Sequence, residues 1–109
     1  MKPIYLDNSA TTQVCLPAAQ KALSLMTEIY GNPSSLHGMG FAAEQEISLA
    51  RRRVAEMLGA KPEEMVFTSG GTEANNLAIF GAVQARRRQG DTIVTTAIEH
   101  PSVLGCMAQ

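Results

Sequence analysis

The ten residues from Phe67 to Asn76, Phe-Thr-Ser-Gly-Gly-Thr-Glu-Ala-Asn-Asn, carry the most chemistry in this chain of 109 residues. A short apolar run feeds a glycine and hydroxyl loop that opens directly into a helical pattern. The first amides of a helix have no acceptor within it and sit at the positive end of its dipole, so an anion there satisfies both. Gly70 and Gly71 let a ligand approach the backbone closely, while Ser69 and Thr72 offer hydroxyl donors. A hydrogen bond to a charged acceptor contributes roughly 1.5–3 kcal/mol, so a few of them would hold a phosphorylated ligand. The same residues also describe an ordinary strand-to-helix turn with an N-cap, and the loop alone leaves both readings open.

A second group of polar residues follows in Ala97-Ile-Glu-His-Pro-Ser102, again a β-rich run passing into a helix start. Proline disfavours helical geometry in the residue before it, which places His100 in an extended conformation at the carboxyl end of a strand. Ligands of parallel α/β sheets bind outside those carboxyl ends, so the loop and His100 face one crevice. An imidazole there offers a flat ring for stacking and a group that titrates near neutral pH. Its plainer role is to cap the next helix or to bond a nearby carbonyl. A ligand with both a phosphate and an aromatic ring would use both groups.

The elements that must position these residues are readable from pattern. Ile4-Tyr5-Leu6 is extended and ends in a turn at Asp7-Asn8-Ser9. Pro17 opens a helix to about Ile29, with Gly31 as its C-cap and Pro33 as a stop. From about Ala42, the positions Ala43, Ile47, Ala50, Val54 and Met57 or Leu58 recur at helical spacing as one buried stripe. Gly59 ends that helix, and Pro62 delays a restart. A strand over Met65–Thr68, a helix from Thr72 to about Arg88, a turn at Gly90-Asp91, a strand over Thr92–Ile98 and a helix from Pro101 complete the order. This β-α-β succession predicts an α/β protein with at least part of a parallel sheet.

Composition narrows the remaining classes. With 45% apolar and 17% charged residues, the chain matches a soluble globular domain with room for one core. A formal charge of −1 supplies no broad field for nucleic acid or an acidic membrane. Arg51-Arg52-Arg53 and Arg86-Arg87-Arg88 fall near the ends of helical patterns, where cations complement the dipole. The first residues lack the apolar core of a signal peptide, and no run reaches membrane-spanning length, so the expected location is cytoplasmic. Cys15 and Cys106 are far apart, without a CxxC or metal-ligand pattern, and read as two reduced thiols; no metal site is expected.

Four motifs in order resemble the opening of a cysteine desulfurase: Tyr5-Leu-Asp-Asn-Ser-Ala-Thr-Thr12, Tyr30-Gly-Asn-Pro-Ser-Ser-Leu-His37, the stretch Phe67–Asn76, and Glu99-His-Pro-Ser-Val103. The resemblance covers nearly the whole chain. It implies the aspartate-aminotransferase-like fold of pyridoxal-phosphate enzymes, a three-layer α/β/α arrangement with a mostly parallel sheet, incomplete here. Residues 1–62 would form the N-terminal arm and helices, and 63–109 the start of the cofactor-binding large domain. The activity implied is transfer of sulfur from L-cysteine to an enzyme cysteine as persulfide, with release of L-alanine, for iron-sulfur cluster or thio-cofactor biosynthesis. Carried over by motif, Gly71 and Thr72 would bind the phosphate of pyridoxal 5'-phosphate, and His100 would stack on its ring and act in catalysis. Asn8–Thr12 resembles an arm near the substrate pocket. Asn32 and His37 receive no chemistry, Gly31 and Pro33 favouring a structural turn. The implied partners are a second copy of the chain, in a homodimer, and a sulfur-acceptor or iron-sulfur scaffold protein. The alternative readings are another class V pyridoxal-phosphate enzyme, such as a selenocysteine lyase or an aminotransferase, and a non-catalytic cofactor-binding or dimerising module.

The family's cofactor lysine lies in a Ser-x-His-Lys type motif far downstream, and its persulfide cysteine later still. Lys2, Lys21 and Lys61 are the only lysines here, and none has that context. The chain therefore reads as an N-terminal piece of a longer enzyme, inactive as a desulfurase by itself. The fold implies the same, since Met65–Thr68 and Thr92–Ile98 would be separated by strands from later sequence. Their unpaired backbone groups predict a chain that is poorly folded alone or pairs its strands non-natively.

Overall fold

Four helices carry the structure: α1 over Leu16–Thr27, α2 over Gly38–Leu58, α3 over Gly71–Arg86 and α4 over Pro101–Met107, with one 3-10 turn at Pro62–Glu64. The computed structural model describes residues 3–108, so Lys2 and Gln109 lie outside it. The chain divides into two units, Met1–Met65 and Val66–Gln109.

In the first unit, Cys15 is the extended N-cap of α1, and Pro17 falls in the first turn, where its missing N–H is harmless. The helix ends at Thr27, with the Glu28 amide on the Ser24 carbonyl at 2.8 Å. Gly31 is therefore not its cap. Gly31 is small for a different reason, since a Cβ there would overlap the Met39 carbonyl. Gly40 is confined likewise, by the carbonyls of Asn32 and Ser35. The turn between α1 and α2 is built on Asn32, whose Oδ1 accepts from the Ser34 amide and whose carbonyl accepts from the Ser35 amide, both at 2.9 Å. That is the structural turn expected of this motif.

The second helix begins at Gly38, four residues before the expected Ala42, because the extended His37 caps it: Nδ1 accepts from the Gly40 amide at 3.3 Å. Gly59 closes it in the left-handed region (φ 64°), its amide reaching the carbonyls of Ala55 and Glu56. Beyond it, the Lys61 amide donates to the Glu64 carboxylate at 2.8 Å, and the Arg51 guanidinium donates to the Met65 carbonyl. Arg51–Arg53 thus lie short of the last turn of α2, whereas Arg86 is in the last turn of α3.

The expected stripe of α2 is buried at Ala43 but not at Ile47, Val54, Met57 or Leu58; Ala55, one position off it, is 1% exposed. A helix buries a stripe only against a second layer, and α1 has no buried residue. The buried apolar side chains among the described residues are Ala43, Ala55 and Cys106, all small. Among the described residues, the large apolar side chains for which composition left room in one core are not buried.

No strand occurs among the described residues. Met65–Thr68 and Thr92–Thr96 run without regular structure, and Ala97 and Ile98 fall in a turn that Thr96 closes with a 2.8 Å bond to Glu99. The two expected strands are corrected to segments that form no ladder among the described residues. A ladder requires a neighbour on at least one edge, and neither segment has one. Their apolar residues Val66, Phe67, Ile93, Val94 and Ile98 are correspondingly exposed. The mostly parallel sheet is thus not formed among the described residues, while the helices fall close to where the pattern places them.

Candidate functional site

In the second unit, α3 starts at Gly71 with Gly70 as an extended N-cap that makes no side-chain cap bond. The first intrahelical bond runs from the Ala74 amide to the Gly70 carbonyl at 3.0 Å. The amides of Gly71 and Thr72 precede it and so belong to the orphan donors of a helix start. A Cβ at Gly70 or Gly71 would meet nothing within 4 Å, so the backbone is open to approach at both. The Thr72 hydroxyl has no hydrogen-bond partner among the described residues.

Ser69 departs from the sequence reading. Its amide and hydroxyl both donate to the Glu73 carboxylate, at 2.6 and 2.7 Å, and so do not point to a ligand. The hydroxyl bond first, and the amide bond second, hold the Glu73 carboxyl below its ordinary value. Glutamate at the third helical position is a known end-closing choice, and the helix dipole favours it there. That spacing was visible in the sequence, although the reading assigned Ser69 outward.

His100 is the extended N-cap of α4 (φ −60°, ψ 146°), as the following proline predicts. Its Nδ1 accepts from the Ser102 amide at 3.1 Å and lies 2.8 Å from the Ser102 hydroxyl. The plainer reading of this residue, a helix cap, is thus realised, and the exposed ring retains free faces.

Asn75 and Asn76, to which the sequence reading gave no role, bring the two helix starts together. The Asn75 side-chain amide donates to Ser102 Oγ at 2.8 Å. The Asn76 amide donates to the carbonyl of Thr72 at 2.8 Å and to that of Ser102 at 3.5 Å. The Cys106 thiol donates to the same Ser102 carbonyl at 3.2 Å. Ser102 is buried, with each of its polar atoms engaged. Gly71 and Thr72 are therefore placed one turn from residues that bind the cap of His100. The pair Asn75-Asn76 inside a helical pattern was the available signal, because asparagine in a helix interior is unfavourable unless its amide has a partner.

The other residues singled out, apart from Cys106, lie in the first unit. Thr12 donates to Asn8 Oδ1 at 3.0 Å, and Tyr5 donates to the carbonyls of Asp7 and Thr11, so the arm is closed on itself. Lys21 pairs with Glu46 at 2.7 Å. Cys15 is exposed, and Cys106 is buried; both are free thiols. Among the described residues, no cluster of three or more metal-type ligands occurs, and no helix is long and apolar enough to cross a membrane.

Comparison with known proteins gives this geometry a context. The aminotransferase class-V family matches residues 4–109. The cysteine desulfurase IscS of Methanosarcina thermophila is 48% identical over 103 residues, 94% of this chain and 26% of that protein. The cysteine desulfurase IscS of Photorhabdus laumondii is 46% identical over 110 residues, 98% of this chain and 27% of that protein. A solved structure described as a NifS-like protein superposes with a TM-score of 0.86 at 40% identity, covering 96% of this chain and 29% of its own. The chain thus spans about a quarter of the length of the curated relatives it matches.

Proposed function

The chain belongs to the class-V aminotransferase family, and from that premise we propose that it forms the phosphate-gripping and ring-facing part of a pyridoxal-phosphate-dependent cysteine desulfurase. The observation that carries this reading is the convergence of the open first turn of α3 with the His100 cap of α4, through Asn75, Asn76 and Ser102. The residues present fit the cofactor. Gly70 and Gly71 leave space at the backbone, the Thr72 hydroxyl is uncommitted, and an imidazole ring stands nearby.

In this reading the amides of Gly71 and Thr72, with the Thr72 hydroxyl, bind the phosphate, and His100 lies against the pyridine ring. When bound, pyridoxal phosphate supplies an electron sink for bonds at the substrate's α carbon. The protein's share here is to fix that ring's place and to offer an imidazole for proton transfer, an effect typically of about 10²–10⁴-fold. The substrate is L-cysteine and the products are L-alanine and a persulfide on an enzyme cysteine. The persulfide sulfur passes to an acceptor or iron-sulfur scaffold protein, and the working form is a cytoplasmic homodimer. Residues 63–109 open the cofactor-binding large domain.

Neither described lysine belongs to the α3–α4 unit, since Lys21 and Lys61 lie in the other. The 109-residue chain with added cofactor is therefore expected to release no sulfide from L-cysteine. Sulfide release that Thr72→Ala abolishes would refute this. In the protein as its source produces it, Thr72→Ala is expected to weaken cofactor retention by roughly 10–100-fold, the equivalent of one charge-assisted hydrogen bond. Dialysis followed by absorption spectroscopy reads that loss. Alanine formation in His100→Ala should fall with the cofactor retained. Parental retention and turnover in both variants would overturn the roles assigned.

A further inference from the structure

The direction of one hydrogen bond settles which nitrogen of His100 is bare. A backbone N–H can only donate, and the Ser102 amide lies 3.1 Å from Nδ1, so Nδ1 is an acceptor in this structure. The Ser102 hydroxyl, 2.8 Å from the same nitrogen, must then donate to it as well. The hydroxyl has lone pairs left to accept, and the Asn75 amide supplies the donor at 2.8 Å. Protons thus run one way along the chain, from Asn75 to Ser102 to Nδ1.

We infer that Asn75 and Ser102 are positioning residues that hold His100 as the tautomer with its proton on Nε2. The inference rests on the reading of His100 as a ring-facing group only for its use, since the tautomer is a property of the chain itself. The bonds at Nδ1 also pin the ring's rotation about its side chain. A group so held presents one N–H, at Nε2, to whatever lies beside the ring. Ser102 is buried and Asn75 is half-buried, so water does not readily replace either.

Nitrogen-15 labelling of histidine in the protein as its source produces it, without added cofactor and at a pH where the ring is neutral, reads the tautomer directly. His100→Gln identifies the signal. The expected parent has Nδ1 unprotonated. Ser102→Ala removes one of two donors to Nδ1 and should move the tautomer ratio about five-fold toward Nδ1–H, the equivalent of one ordinary hydrogen bond. Ser102→Thr restores the hydroxyl and should restore the ratio. Asn75→Asp keeps the hydroxyl but offers it a carboxylate, which turns its proton away from the ring; this variant should shift in the same direction as Ser102→Ala. A parent with Nδ1 protonated, or a ratio unmoved in both Ser102→Ala and Asn75→Asp, would overturn the inference. A shift in Ser102→Ala alone would overturn the part assigned to Asn75. Unchanged cofactor retention in Thr72→Ala would defeat the cofactor reading while leaving these signals as they are.

Discussion

Two histidines in this chain hold the same local office with different surroundings. His37 and His100 are both extended N-caps, and each accepts from a backbone amide through Nδ1, at 3.3 and 3.1 Å. His37 stands on its own turn, with no side chain from another helix at that nitrogen. His100 shares its acceptor with a buried hydroxyl that is itself bonded from α3. A cap of the first kind ends a helix. A cap of the second kind joins two helices and commits a ring to one orientation.

The comparison breaks most sharply in turnover. His100→Ala in the protein as its source produces it is expected to slow alanine formation by about 10²-fold or more, whereas His37→Ala should leave it within about two-fold. Equal losses in a sulfide assay would show that the shared cap, not the added hydroxyl, matters. A smaller separation is expected in stability. Ser102→Ala adds no bulk but leaves the Asn75 amide without its hydroxyl acceptor, a cost of about 1–3 kcal/mol for a buried group. Urea denaturation followed by α3 amide exchange checks it. Gly40→Ala tests the His37 side, because the new methyl would collide with the carbonyls of Asn32 and Ser35. Its cost, about 1–3 kcal/mol as for overpacking elsewhere, should fall on the exchange of α2 amides and spare those of α4.

Charge supplies the smaller effects. The Glu73 pKa is depressed in the folded chain, so its contribution is fully present above the ordinary glutamate value of 4.5 and is lost as pH falls through the lower folded value. Protection of the Ser69 amide should decline over that acid window and no longer do so in Glu73→Gln. Lys21→Ala should change least, since the pair with Glu46 is partly exposed and such pairs contribute about 0–1 kcal/mol.

Local chemistry was legible in the sequence to the extent that it is local. Pro17 near the head of α1, Gly59 at the end of α2, the start of α3 and the extended His100 each follow from one residue's own conformational limits. The His37 cap was missed because a side-chain nitrogen can do what Ser or Asp usually does. The strands were overread, because β-branched runs such as Thr92–Thr96 state a preference that only a neighbouring strand can satisfy. The stripe of α2 failed for the same reason, with Ile47 and Val54 facing no second layer. Asn75 and Ser102 are separated by 27 positions, and nothing in either local pattern announces the other. The sequence singled out His100 and Thr72; the bonds from Asn76 to the Thr72 and Ser102 carbonyls came only with the fold.

The bond pair from Ser69 to Glu73 has a kinetic consequence. Because the chain supplies its own carboxylate to fasten the approach to α3, that turn is already in shape when an anion arrives. If the helix start binds a phosphate as proposed, capture there would be governed by collision and orientation, with no loop rearrangement to wait for. The same carboxylate is a like charge close to any phosphate on the helix end. On the proposed reading it would hasten departure as well, so exchange of an anion at this helix start would be quick in both directions.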